Sequence, residues 1–132
     1  MKLDIYVNYK GNCEEAFRFY EAKLNGRITS STVFGPVAEQ NNFPGGWSNK
    51  IMHARIEIGG TVLMGADVPT AEPMRSTYLT LSFEDSADAD QIYDLLVESG
   101  EVFMAMQTTN FAKRFAMLRD RFGTSWMLLN QA

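Results

Sequence analysis

The chain reads as an α+β protein of two βαβββ modules whose curved mixed sheets surround a cleft, and three observations carry that reading. Gly-Thr-x-x-Met occurs twice, as Gly60-Thr61-Val62-Leu63-Met64 and as Gly123-Thr124-Ser125-Trp126-Met127, each time after a strand-like run. An amphipathic helix pattern ending in glycine precedes each copy, Asn12 to Gly26 in one half and Ser86 to Gly100 in the other. The order strand, helix, three strands is the same in both halves, and agreement in order is stronger evidence of duplication than a five-residue motif. A chain of 132 residues has room for one sizeable core, so the modules, about 1–68 and 76–132, are expected to share a single domain spanning 1–132.

Leu3, Ile5, Val7 and Tyr9 alternate with Asp4, Tyr6 and Asn8, the two-residue period of a strand with one apolar and one polar face. Asn12 then stands as a helix cap with Glu15 three residues on, and Cys13, Ala16, Phe17, Tyr20 and Leu24 follow at helical spacing until Gly26. Arg27 to Phe34 is a Ser/Thr-rich strand. Val37 to Asn49 form a loop with Pro44-Gly45-Gly46 between Phe43 and Trp47. It is longer than a hairpin needs, and both a pocket cover and a plain surface excursion are open for it. Ile51 to Ile58 and Thr61 to Gly65 are strands joined through Gly59-Gly60, and in the first of them Met52, Ala54, Ile56 and Ile58 alternate with His53, Arg55 and Glu57.

Pro69 to Met74, which holds two prolines and Glu72, is the boundary between modules. Ser76 to Phe83 then makes a strand with Leu79, Leu81 and Phe83 on one face and Tyr78, Thr80 and Ser82 on the other. Ser86 caps the second helix, Asp88 and Asp90 sit near its positive end, and Ala89, Ile92, Tyr93 and Leu96 form its buried stripe. Further strands are expected near Glu101 to Met106, Phe111 to Leu118 and Ser125 to Leu129. Each helix covers the apolar face of its sheet, which leaves the polar faces to line a cleft, the natural ligand site.

Composition narrows the partners. A net charge of −4 argues against nucleic acid and against anionic membrane surfaces, both of which attract basic patches, so a small-molecule or protein partner is expected. No apolar stretch approaches the roughly 20 residues that span a bilayer, and the N-terminus enters an alternating strand with no signal-peptide pattern, so the expected location is cytoplasmic. The single cysteine, Cys13, lies on the apolar stripe of the first helix, where a thiol is inert packing.

Several segments together resemble the vicinal oxygen chelate superfamily, the glyoxalase, bleomycin-resistance and dioxygenase relatives, and within it the PhnB-like branch. They are Gly11-Asn12-Cys13 with Ala16, Phe17, Phe19 and Tyr20; Ile51-Met52-His53-Ala54-Arg55 with Ile58-Gly59-Gly60; Leu63-Met64-Gly65-Ala66-Asp67; Phe111-Ala112 with Arg114-Phe115; and Asp120-Arg121-Phe122-Gly123 with Trp126-Met127. The resemblance implies a glyoxalase/bleomycin-resistance/dioxygenase fold, a homodimer, and a divalent metal held by His or Glu from the first strand and Glu from the last strand of each module. Here the last-strand slots fall on Met64 and Met127, and the first-strand slots fall near Ile5 or Tyr6 and near Thr77 or Tyr78. A thioether is a poor ligand for hard or borderline ions, and Asp4 is the only carboxylate near these slots, so neither a metal nor another cofactor is expected. Relatives in this branch are labelled demethylubiquinone methyltransferases, but the chain has no Gly-rich turn opening a helix after its first strand, as a nucleotide-like cofactor would need.

The ligand-binding candidates are therefore Tyr6, His53, Arg55, Met64, Tyr78 and Met127. His53, the only histidine, rules out a site of several imidazoles; on its polar strand face it is the candidate general base, or else a structural histidine satisfied by a neighbour. Met52, Met64, Met104, Met106, Met117 and Met127 suit either an adaptable apolar cavity or a core. Arg114, Arg119 and Arg121 suit an anion or a solvated hairpin face, and Gln107 and Asn110 are possible rim residues. A metal-free small-molecule binder leads, and the alternative is a divergent metal-dependent or His53-dependent lyase- or isomerase-like enzyme, using His53 with Tyr6, Glu57 or a substrate-supplied chelator.

Overall fold

In the computed structural model, which describes residues 1–131, each half of the chain builds a four-stranded mixed sheet with one long helix packed on one face. The chain divides into two units, Met1–Glu72 and the residues from Pro73 onward.

The first unit runs β1 (Ile5–Tyr9), α1 (Cys13–Lys23), β2 (Arg27–Val33), the short helix α2 (Val37–Gln40), β3 (Ile51–Ile58) and β4 (Thr61–Asp67). Its sheet has the order β1-β4-β3-β2, with β1 parallel to β4 and the other neighbours antiparallel. Alternation puts Val7, Tyr9, Ala54, Ile56 and Leu63 under Cys13, Ala16, Phe17 and Tyr20 of α1, and all of these are buried. Each large member of such a core contributes about 1.5–3 kcal/mol. Gly65 lies beneath the helix because a Cβ there would come within 2.8 Å of the Phe17 ring. Leu3, read from its alternation as part of the first strand, lies ahead of it and is almost fully exposed, since the ladder with β4 begins only at Ile5.

The start of α1 corrects the expected cap. Asn12 makes no side-chain capping bond; the carboxylate of buried Asp67, at the far end of β4, accepts from the backbone of Gly11 at 3.0 Å and Cys13 at 2.9 Å through Oδ1, and from Ile51 at 2.9 Å through Oδ2. One charged group thus satisfies orphan donors at the helix start and ties that turn to two strands. The 37–49 segment is not the open loop it resembles in sequence: it holds α2 and a 3-10 turn at Trp47–Asn49, with Phe34, Phe43 and Trp47 in successive edge-on contacts at 5.3 and 6.4 Å. Trp47 is buried, and its ring approaches Gly11.

The second unit repeats the plan with β5 (Leu79–Ser82), α3 (Ser86–Val97), β6 (Glu101–Gln107), β7 (Ala112–Arg119) and β8 (Ser125–Gln131), in the order β5-β8-β7-β6 with β5 parallel to β8. β5 is shorter than its pattern suggests, since Ser76 adopts a positive φ of 57° and the ladder starts only at Leu79. The cap of α3 is Asp85, which accepts from Ala87 N–H at 2.8 Å, rather than Ser86. Ser86 instead donates its hydroxyl to buried Asn130 at 2.7 Å, and Asn130 donates to the Phe83 carbonyl at 2.8 Å. Ala89 and Leu96 of the α3 stripe are buried, while Ile92 and Tyr93 are half-buried.

Asn130 follows Met127 by three residues, as Asp67 follows Met64, so the duplication extends from the glycine to a polar residue that clamps the strand-helix turn in each unit. The glycines that end the helices also match, for a reason other than the one expected. The left-handed residues are Asn25 (φ 55°) and Ser99 (φ 58°), each one position earlier. A Cβ on Gly26 would meet Ile56 at 2.9 Å, and one on Gly100 would collide with the Arg119 carbonyl, so both glycines serve close packing on the sheet. In the turn after β7, buried Asp120 accepts from Phe122 and Thr124 N–H and from the Trp126 indole at 2.9, 3.0 and 2.8 Å.

Candidate functional site

The face of each sheet away from its helix is organised around the repeated methionine. In the first unit the register sets Tyr6 beside Met64, Met64 beside Arg55, and Arg55 beside Ser30, one residue from each strand. Asn8, Ala66, His53 and Thr32 follow by alternation or register on the same face. In the second unit the corresponding row is Thr80, Met127, Met117 and Met104. The counterpart of Tyr6 is therefore Thr80, not Thr77 or Tyr78. Tyr78 precedes β5 and packs edge-on to Phe103 at 6.3 Å, because the ladder begins later than the alternation implied.

Four of the six ligand-binding candidates come together on the first face. The Tyr6 and His53 rings lie 5.9 Å apart and tilted, and the Arg55 guanidinium reaches the Met64 sulfur at 3.6 Å. The Tyr6 phenol is raised above its ordinary pKa, chiefly by burial and secondarily by Cys13, so it is a protonated donor at neutral pH. Glu57, weighed as a partner of His53, is turned outward to Arg27 at 2.7 Å. Met127 lies on the second sheet, among Met117, Met104 and the half-buried Leu129.

Of the two roles open for the methionines, the core is not the one they take: none of the six is among the buried residues. Met52 and Met104 are exposed, and Met64, Met106, Met117 and Met127 are half-buried. Cys13 is buried, and its thiol is pushed far above the ordinary range by burial first, then by Asp67 and Glu14, which makes it unreactive at neutral pH. Arg114 holds Asp90 at 2.8 Å, Arg119 holds Glu101 at 3.0 Å and the Met74 carbonyl at 2.9 Å, and Arg121 stacks on Phe122. Gln107 bonds the Ala105 carbonyl and Asn110 is exposed, so neither joins these rows.

On the helix side of the first sheet, a recess of about 210 Å³ is floored by Phe17, Ile28, Ile51 and Ala54. Its polar rim is occupied by its own groups, Arg18 with Glu14 at 3.2 Å and Glu21 accepting from Ile28 N–H at 2.8 Å.

The donor set does not fit the divalent metal that the resemblance implies. Tyr6, Met64, Thr80 and Met127 stand where imidazoles or carboxylates would be needed, and among the described residues no three His, Cys, Asp or Glu side chains converge. Ser30, Thr80, Met104 and Met117 were not singled out from sequence as one site; only the register aligns them, and nothing local to those residues announces it.

Comparison with known proteins gives the lineage. The family model of the Glyoxalase/Bleomycin resistance protein/Dioxygenase superfamily matches residues 2–128. Protein YjdN of Escherichia coli (strain K12) is 30% identical over 138 residues, covering 97% of this chain and 94% of that protein. Among solved structures, protein PA1353 from Pseudomonas aeruginosa superposes with a TM-score of 0.84 at 32% identity, covering 99% of this chain and 98% of the other. The PhnB protein from Bacillus cereus superposes with a TM-score of 0.82 at 24% identity, covering 98% and 99%. The chain belongs to the Glyoxalase/Bleomycin resistance protein/Dioxygenase superfamily.

Proposed function

We propose that this protein binds a small organic molecule on its open sheet faces, around Met64 and Met127, without a catalytic metal. The observation that carries the reading is the register: a soft, flexible thioether occupies the middle of each open face where a metal site would need a hard oxygen ligand. Half-buried methionines with aromatic neighbours give an adaptable apolar surface, and Tyr6, His53 and Arg55 supply a few polar anchors. The protein acts in the cytoplasm as a homodimer, a reading supported by unpaired edges on β2 and β6 and by exposed Val102, Phe103 and Met104 on the latter. No helix among the described residues is long and apolar enough to cross a membrane.

Methionine-methyl NMR with a panel of aromatic and aliphatic compounds tests the binding reading. Shifts centred on Met64 and Met127 are expected, and a panel that moves neither methyl group refutes it. A stoichiometric divalent ion in protein purified without chelators would overturn the metal-free part. The 5.9 Å contact of Tyr6 with His53 favours a second reading, a lyase- or isomerase-like activity with His53 as general base. Loss of turnover in His53→Ala with ligand binding retained would establish it, and unchanged turnover would remove it.

A further inference from the structure

Arg55 stands apart from the other charged groups of the first unit. It is half-buried in the middle of a sheet face, where a β-branched or aromatic residue suits the pleat, yet its side-chain partner among the described residues is a thioether, the Met64 sulfur at 3.6 Å. A guanidinium carries five N–H donors and no acceptor, and a half-buried one without an anion is costly.

The carboxylates that might serve it are committed elsewhere. Glu57, two residues along the same face, holds Arg27 at 2.7 Å, and Asp4, ahead of β1, is 3.7 Å from Lys2. Asp67 is buried and filled by three backbone N–H groups. The surroundings of Arg55 are instead donors and a planar surface: Ser30 opposite it on β2, Thr32 opposite His53, and the Tyr6–His53 ring pair. A chain of net charge −4 thus keeps an uncompensated cation in the middle of a concentration of hydrogen-bond donors.

We infer that the ligand of this face is an organic oxyanion, a carboxylate or phosphoryl group joined to a planar or aromatic body, with Arg55 gripping the anion and Tyr6 and His53 stacking on the body. The inference rests on the open-face binding reading and narrows it to one ligand class. Arg55 suits this part because its fork matches two oxygens of one anion at once, and the flexible Met64 side chain yields when they arrive. The cation also draws an anion toward a face whose protein is acidic overall.

Benzoate, phenylphosphonate, benzyl alcohol and benzylamine, titrated into the intact protein and followed by calorimetry and by the Met64 methyl resonance, separate the possibilities. Either anion should bind at least about tenfold more tightly than the alcohol, the discrimination expected of a charge-assisted bidentate contact. Affinity for the anion should fall as salt rises. Arg55→Met should lose about tenfold or more for the anion and so erase the preference for anion over alcohol, while Arg55→Lys should retain part of that preference; an unchanged thermal melt shows that each variant is folded. Benzyl alcohol or benzylamine binding as tightly as benzoate, or Arg55→Met leaving benzoate affinity unchanged, overturns the inference while the open-face reading stands. Failure of all four probes to bind overturns the inference, and the open-face reading falls with it only if the wider aromatic and aliphatic panel also moves neither methyl group.

Discussion

Exchanging the two clamp residues, by Asp67→Asn in the first unit and Asn130→Asp in the second, asks whether each is fitted to its own partners. Asp67 accepts three backbone N–H groups, two on one oxygen and one on the other. In the Asp67→Asn variant the amide keeps one oxygen, so the Gly11 and Cys13 bonds persist as neutral contacts, each weaker by about 1 kcal/mol. The amide nitrogen then faces the Ile51 N–H, donor against donor, in a buried site, which adds about 1–3 kcal/mol. The total for Asp67→Asn is about 3–5 kcal/mol. With a urea m-value of about 2 kcal/mol/M, the midpoint should fall by about 1.5–2.5 M. Asn130→Asp removes the donor to the Phe83 carbonyl and sets a carboxylate against it, at a cost of about 2–3 kcal/mol. Urea titration followed by circular dichroism reads both variants. Midpoints within about 0.25 M of wild type, less than roughly 0.5 kcal/mol, would refute the assignment of these residues as clamps.

The Cys13 thiol supplies a pH prediction. Its folded pKa is raised, so in alkali the folded state retains a proton that the unfolded state loses; stability is intact below the unfolded thiol value and should fall above about pH 8.5, with a limiting slope of about −1.4 kcal/mol per pH unit. Denaturation of wild type and Cys13→Ala across pH 7–10 checks it, since the variant should lack that component. Gly100→Ala should destabilise by about 2–3 kcal/mol through collision with the Arg119 carbonyl, measured as a lower melting temperature. Gly65→Ala, facing the movable Phe17 ring at 2.8 Å, should cost less, about 1–2 kcal/mol. Asp120→Ala removes the acceptor shared by the Trp126 indole and two backbone N–H groups, so a loss of about 3–4 kcal/mol with altered tryptophan fluorescence is expected.

The fold was legible because its signals are local or periodic. Alternation in β1, β3 and β5, helical stripes on α1 and α3, and the repeated glycine motif all lie within short windows, and together they specify the element order. What escaped depends on residues far apart in the chain. Asp67 clamps Cys13 from 54 positions away, so Asn12 looks like the cap when the sequence is read locally. The second-unit site row was displaced because Ser76 turns left-handed and delays β5, which moves the residue facing Met127 from Tyr78 to Thr80. His53 and Arg55 were recognisable as neighbours on a polar face, but the commitment of Glu57 to Arg27 and the resulting isolation of Arg55 required side-chain geometry.

The edge strand β6 has a consequence for how the chain is made. Its seven residues carry a single charge, at Glu101, and Val102, Phe103 and Met104 are exposed; its only sheet neighbour, β7, ends at Arg119, twelve residues after Gln107. At ribosomal speeds that interval lasts on the order of one second, during which an apolar strand has emerged with neither edge paired. Strand-to-strand association between nascent or refolding chains competes in that window. Recovery from denaturant should therefore fall with protein concentration, and Phe103→Lys should protect it even where the folded protein is no more stable.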